Sequence, residues 1–284
     1  MVRTYSALCI DVRNTLSAAG VSSAALEARE IVCGAADKTR DEFYRDMGLY
    51  ASKEIEERVE WLVYRRLKGE PVAYLTGRWE FYGIDLEINS SVLVPRIDTE
   101  LLAQEAIRLI EGRSARVLDL CCGSGCVGIA IAANVPDCKV ILADVSSDAL
   151  EVAGRNVALN GLTERVKTLR ADAHRPPVNL PWAFDMIVCN PPYVAAWEME
   201  LLDASVRNYE PRIALLGGET GLEFYPDICT YWKRALKRGA CLLFECGVGQ
   251  APAVCDIMTK CGYEVERVLK DTAGIDRVVV GTID

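Results

Sequence analysis

The sequence predicts an α/β protein: a seven-stranded, mostly parallel sheet covered on both faces, preceded by a small all-helical domain and a connecting β-hairpin. Three observations lead there. Up to about residue 75 apolar residues recur at helical spacing; between 74 and 95 aromatic and alternating residues surround Gly83; beyond 95 short apolar runs alternate with helical stretches. Alternation of the last kind builds parallel sheets, because each crossover lays a helix on a sheet face. The expected divisions are 1–74 for the helical domain, 75–95 for the hairpin and 96–284 for the α/β domain.

Element by element, Leu8, Val12 and Leu16 mark a helix that stops at Gly20. Thr39 and Glu42 form a capping box ahead of Phe43. Ser52 can cap a helix with Ile55, Val59, Leu62, Val63 and Leu67 on one face, ended by Gly69 and Pro71. Such stripes report the domain's own core. A further helix is expected over 99–109. Strands are expected at 117–120, 140–143, 166–169, 184–188 and 241–244, and at 263–269 and 277–282 on either side of Gly274, with helices starting from Gly125, Ser147 and Glu219.

Composition narrows the function classes. The 284 residues are 51% hydrophobic and 26% charged, which excludes disordered and collagenous chains. A net charge of −9 gives the whole molecule no attraction to nucleic acid or anionic lipid. The first residues carry Arg3 and Asp11 within what would be a signal peptide's apolar core, and no apolar run reaches the ~20 residues that span a bilayer. A cytoplasmic protein without membrane contact is expected. The twelve cysteines form no CxxC pair and His174 is the only histidine, so no metal site is expected.

Chemistry concentrates in two loops. In Arg116-Val-Leu-Asp-Leu-Cys-Cys-Gly-Ser-Gly-Cys-Val-Gly128 a strand meets a glycine turn and a helix start; Gly123, Gly125 and Gly128 satisfy GxGxxG, and Asp144 lies near the ~20-residue offset of a ribose-binding acid. A dinucleotide site presents its helix N-terminus to a pyrophosphate and gains nothing from an acid at Asp119. A carboxylate there suits a cofactor with a cationic end, such as the ammonium and sulfonium of S-adenosylmethionine. Asp144 offers two acceptor oxygens to ribose hydroxyls, and Asp172 stands after the third strand, where it can meet an adenine amino group. An NAD-dependent dehydrogenase, the other reading of GxGxxG, leaves Asp119 without a role.

The second loop, Asp185-Met-Ile-Val-Cys-Asn190-Pro-Pro-Tyr-Val194, follows the fourth strand of the sheet. Pro191 and Pro192 fix φ and restrict Asn190 to extended geometry, so the Asn190 side chain and the Pro191 carbonyl can stand as paired acceptors beside a pocket. Tyr193 supplies a flat face for a planar substrate group.

Together these motifs resemble class I S-adenosylmethionine-dependent methyltransferases with a Rossmann-like sheet. Gly69-Glu-Pro-Val-Ala-Tyr-Leu-Thr-Gly77, Glu80-Phe-Tyr-Gly83, Val94-Pro-Arg-Ile-Asp-Thr-Glu-Leu-Leu102, Glu210-Pro-Arg-Ile-Ala-Leu-Leu-Gly-Gly218, Gly221-Leu-Glu-Phe-Tyr225 and Ala273-Gly-Ile-Asp-Arg-Val-Val-Val280 resemble the HemK/PrmC family over nearly the whole chain. That family consists of glutamine N5-methyltransferases acting on the GGQ loop of class 1 peptide chain release factors. The resemblance implies cofactor contacts from Asp119, Cys121, Cys122, Gly123, Ser124, Gly125, Asp144, Asp172, Ala173 and Asn190, with S-adenosylhomocysteine as product. It also implies catalysis by Asn190, Pro191 and Tyr193, with Pro192 beside them against the substrate, and a monomer whose helical domain helps recognise the release factor. Two departures stand out. Cys121 occupies the first glycine of the family's DxGxGxG, which implies that this position does not need positive φ. Ala173 replaces a bulky aromatic of some relatives, leaving Leu120 or Pro177 to pack adenine. A ribosomal-protein glutamine methyltransferase would share the motif, as would a DNA adenine-N6 methyltransferase; the latter needs basic clusters or a target-recognition domain, and neither is visible.

Overall fold

The computed structural model describes residues 3–178 and 183–284. The first two residues of the expected helical domain, and 179–182 within the expected α/β domain, lie outside the described residues. The chain divides into two compact units: residues up to Trp79 together with Asp203–Tyr209, and Glu80–Leu202 together with Glu210–Asp284.

The first unit is helical. It holds α1 (Tyr5–Ala18), α2 (Ala24–Ala36), α3 (Arg40–Asp46), α4 (Lys53–Leu67) and the short α5 (Val72–Thr76). Sequence capping signals operate as read: Thr39 and Glu42 form the reciprocal box on α3, and the Ser52 hydroxyl accepts the Ile55 N–H at the start of α4. Leu8, Val12 and Leu16 bury against Ile31, Phe43, Val59 and Leu62. Between α2 and α4, the Glu27 carboxylate, only 8% exposed, accepts from Arg66, so a buried charge is paired.

A hairpin of β1 (Arg78–Phe81) and β2 (Ile84–Glu87) follows, and the unit boundary falls within β1. Its two-residue turn has positive φ at both Tyr82 (50°) and Gly83 (74°), the mirror-image turn whose twist matches the strands.

The second unit is built on a seven-stranded sheet in the order β5-β4-β3-β6-β7-β9-β8, as the alternation predicts. The strands are β3 (Arg116–Leu120), β4 (Lys139–Asp144), β5 (Val166–Arg170), β6 (Phe184–Cys189), β7 (Leu236–Glu245), β8 (Glu264–Lys270) and β9 (Asp276–Thr282). β9 pairs antiparallel with both neighbours; the others run parallel. Central strands are buried nearly end to end because helices cover both faces. Those helices include α6 (Glu100–Ile110), α7 (Cys126–Asn134), α8 (Ser147–Leu159), α10 (Phe224–Tyr231) and α11 (Ala251–Lys260), while α9 (Ala204–Tyr209) belongs to the first unit.

Departures from the sequence reading include two element starts and one unassigned helix. β7 begins at Leu236, five residues before the apolar run; its Lys237-Arg238-Gly239 stretch is polar and partly exposed and so carries no apolar signal. The helix expected from Glu219 begins at Phe224, since Gly218 (φ 101°) and Gly221 (φ 78°) hold the preceding segment in left-handed turns. α11 had no signal assigned to it, although Pro252 sits in its first turn. From β3 the chain builds outward on one side through β4 and β5, and on the other through β6 and β7, so a crevice opens at the carboxyl ends of β3 and β6.

Candidate active site

At the end of β3 the chain turns through Cys121 (φ 60°), Gly123 (φ 53°) and Gly125 (φ 80°) into α7. The expectation that a cysteine at the first glycine position signals ordinary φ is therefore overturned: Cys121 is left-handed. The reversal from strand to helix is short and is tied down by the Cys122 N–H donating to Ala143 O at 3.0 Å, so this residue has to take the conformation glycine would adopt freely. Gly128 serves contact instead. A Cβ there would stand 2.3 Å from Leu142 Cδ2 and 3.0 Å from Asp119 Oδ2. Its absence lets α7 lie directly on the sheet, with the Gly128 N–H donating to Asp119 Oδ2 at 2.8 Å.

The acids at successive strand ends border one cavity of about 330 Å³ at the carboxyl edge of the sheet, within the size range of small-molecule sites. Asp119 is 2% exposed; burial raises its carboxyl to about 7, opposed by the Gly128 N–H and reinforced by the charge of Asp144. Asp144 accepts the Gly123 N–H with Oδ2 and the Ser146 N–H with Oδ1, both at 2.9 Å, and burial raises it too. Those bonds fix the carboxylate plane and leave lone pairs on both oxygens for further donors. Asp172 Oδ1 accepts the His174 N–H at 2.8 Å. Among the described residues neither Asp119 nor Asp144 has a cationic partner, so a ligand with a cationic end and vicinal hydroxyls fits these acceptors.

Cys121, Cys122, Gly123, Ser124, Ala173, Asn190 and Pro192 also border this cavity, whereas Gly125, Pro191 and Tyr193 are not in its wall. Leu120 and Pro177, expected to pack adenine, are not there either: Leu120 is fully buried in the core. The wall beside Asp172 is instead Ala173, His174 and Phe224, the last two with ring centroids 4.3 Å apart. His174 is held by a 2.7 Å hydrogen bond between its Nδ1 and Asp227 Oδ2.

Asn190 follows β6. Its Nδ2 donates to Thr99 Oγ1 at 3.4 Å, and Thr99 is 3% exposed. The Tyr193 hydroxyl donates to Glu245 Oε1 at 3.4 Å. Behind this turn lies a cradle of bare backbone. A Cβ on Gly217 would stand 2.6 Å from Pro192 O, and one on Gly221 2.3 Å from Tyr193 O. Gln250 clamps the same segment: its Nε2 donates to Tyr193 O at 2.9 Å, and its Oε1 accepts the Gly247 N–H at 2.9 Å. Below, Arg96 donates to buried Glu210 at 2.6 Å, and Glu210 also accepts the Val94 N–H, which ties the segment carrying Thr99 to the one carrying Gly217.

Thr99, Glu245 and Gln250 are the residues sequence reasoning did not single out. Thr99 lay inside a quoted motif but carried no chemistry of its own. For Glu245 the available signal was an acid ending an apolar strand run, the same signal that marked Asp119 and Asp144.

A sheet with its order reversed between β3 and β6, and acids converging on a cavity at their carboxyl ends, defines a class I methyltransferase. Comparison with known proteins goes further. Residues 8–77 match the PrmC N-terminal domain and residues 87–207 the methyltransferase small domain. A release factor glutamine methyltransferase of Thermodesulfovibrio yellowstonii is 37% identical, covering 89% of this chain and 91% of that one. That of Geobacter sulfurreducens is also 37% identical, covering 95% and 94%. Among solved structures, a methyltransferase from Pyrococcus furiosus shares the fold with a TM-score of 0.53 at 17% identity, over 77% of this chain and 96% of that one. The protein belongs to the release factor glutamine methyltransferase family.

Proposed function

We propose that the protein transfers the methyl group of S-adenosylmethionine to the side-chain amide nitrogen of the GGQ glutamine in class 1 release factors, with S-adenosylhomocysteine as the second product. The observation that carries this reading is Asn190 at the rim of the acid-lined cavity. Bound cofactor supplies an electrophilic methyl on a sulfonium, and Asp119, Asp144 and Asp172 are the residues that would hold its cationic end, ribose and adenine. An amide nitrogen is a poor nucleophile, so the chain's contribution is positioning: the Asn190 side chain and the Pro191 carbonyl accept hydrogen bonds from the substrate amide and aim its lone pair at the methyl. The N–C bond forms as the S–C bond breaks, and the amide nitrogen then loses one proton. Tyr193, held from behind by Glu245 and Gln250, stiffens the turn that presents these acceptors.

The helical unit contributes to the grip on the release factor, the enzyme acts as a monomer without direct nucleic-acid contact, and its substrate places it in the cytoplasm. The names of relatives aligned over nearly the full chain favour this substrate over a ribosomal protein or DNA adenine. The test is transfer of labelled methyl from S-adenosylmethionine to a release factor carrying GGQ and to its Gln→Ala variant. Label on the first alone is expected; equal labelling of both would exclude the glutamine.

A further inference from the structure

Glu245 ends β7 with its carboxyl 2% exposed, and its Oε2 has no hydrogen-bond partner among the described residues. An unpartnered carboxylate oxygen in a core is costly, and it invites a functional explanation where it touches a site. Here it touches the asparagine turn once and stands beside the residue that holds it. Oε1 receives the Tyr193 hydroxyl, and Thr99 lies near enough to the carboxylate to draw its pKa down. A threonine hydroxyl has one proton. If that proton goes to Glu245, the Thr99 oxygen can only accept, and the group it accepts from is Asn190 Nδ2. With that proton so placed, the array runs in one direction: Asn190 amide to Thr99 to Glu245.

We propose, on the glutamine-methyltransferase reading above, that Glu245 is a positioning residue whose carboxylate polarises Thr99 and thereby turns Asn190 so that its Oδ1 faces the substrate amide. The same carboxylate fixes the Tyr193 ring by its hydroxyl. The 3.4 Å bonds are long, as catalytic contacts often are before substrate closes the site. Neutral Glu245 could instead donate to Thr99, freeing the threonine proton to reach Asn190 Oδ1 and reversing the array, so turnover depends on ionised Glu245. Its charged and titratable neighbours are Arg277 on β9, Asp98 before α6, Tyr193 after β6, Tyr225 on α10, and the thiols of Cys126 and Cys246. Arg277 is itself engaged by Asp98 and Asp271, so it does not neutralise Glu245 on its own. Burial raises the Glu245 carboxyl to about 7, which puts its titration in an accessible range.

The experiment is steady-state methylation of a release factor by wild type, Glu245→Gln, Thr99→Val and Thr99→Ser, at saturating cofactor across pH 6 to 9, with cofactor Kd measured alongside. Expected are a kcat about tenfold or more lower in Glu245→Gln and Thr99→Val, substantial rescue in Thr99→Ser, and cofactor Kd unchanged within about twofold. The wild-type kcat should rise through about pH 7, and that limb should be missing in Glu245→Gln. If Glu245→Gln fails to fold, the Thr99 pair decides. Glu245→Gln or Thr99→Val with wild-type kcat and an intact acid limb overturns the proposal alone; a folded wild type that transfers no methyl to the glutamine overturns the function beneath it as well.

Discussion

The two loops at the carboxyl edge of the sheet do different work and are held in different ways. The loop after β3 is secured by the helix it opens and by the next strand and helix in sequence: Asp119 by Gly128, Gly123 by Asp144, Cys122 by Ala143 and Ser124 by Asn156. The loop after β6 is secured from a distance, by Thr99, Gly217, Gly221, Glu245 and Gln250. On the proposed function, the first, with its buried carboxylates, governs affinity for the cationic end of the methyl donor. The second, with its hydrogen-bond acceptors, governs the alignment of a neutral amide. Binding and turnover should therefore separate under mutation.

The sharpest separation is Asn190→Ala: kcat should fall by at least ~100-fold, with cofactor affinity held within about threefold, since one preorganised acceptor is lost at the reacting group. Isothermal titration beside turnover assays checks it, and a parallel collapse of affinity would merge the two loops' roles. Next in size is Gly221→Ala, which drives a methyl toward Tyr193 O at a left-handed position. It should cost about 2–4 kcal/mol, seen as a fall in Tm of several degrees.

Asp119→Asn tests the opposite loop. A cation prefers ionised Asp119, and burial raises that carboxyl to about 7, so the group is mostly protonated at pH 6 and mostly ionised at pH 8. The affinity lost in the variant should accordingly be roughly tenfold greater at pH 8 than at pH 6, the ratio of ionised fractions for one group. A loss independent of pH would mean that Asp119 does not meet the cationic end. Smallest is Cys121→Gly. Relief of left-handed strain should stabilise the protein by up to about 1 kcal/mol in chemical denaturation, less the added freedom of the unfolded chain. Destabilisation would show that the thiol's packing outweighs the strain.

The same contrast explains what could be read in the sequence. The seven strands, the hairpin turn and the capped helices were legible because each rests on a local pattern, as with Thr39 and Glu42 or the apolar run of β3. The acids at the ends of β3 and β4 and just beyond β5 were legible because strand ends in a parallel sheet share an edge. Cys121 misled because side-chain preference argued one way and the required turn the other. Thr99 and Glu245 were not legible: they lie 91 and 55 residues from Asn190, and only packing brings them under it. Phe224 likewise faces the cavity only because the glycines before it delay the start of α10.

The central claim, that the asparagine turn aims one glutamine amide at the bound methyl donor, is tested most directly by tandem mass spectrometry of a release factor after reaction with the enzyme and S-adenosylmethionine. A single added methyl on the side-chain amide of the GGQ glutamine, lost when Asn190 is changed to alanine, is the expected result. A methyl on any other residue, or on the glutamine at undiminished rate without Asn190, would contradict it.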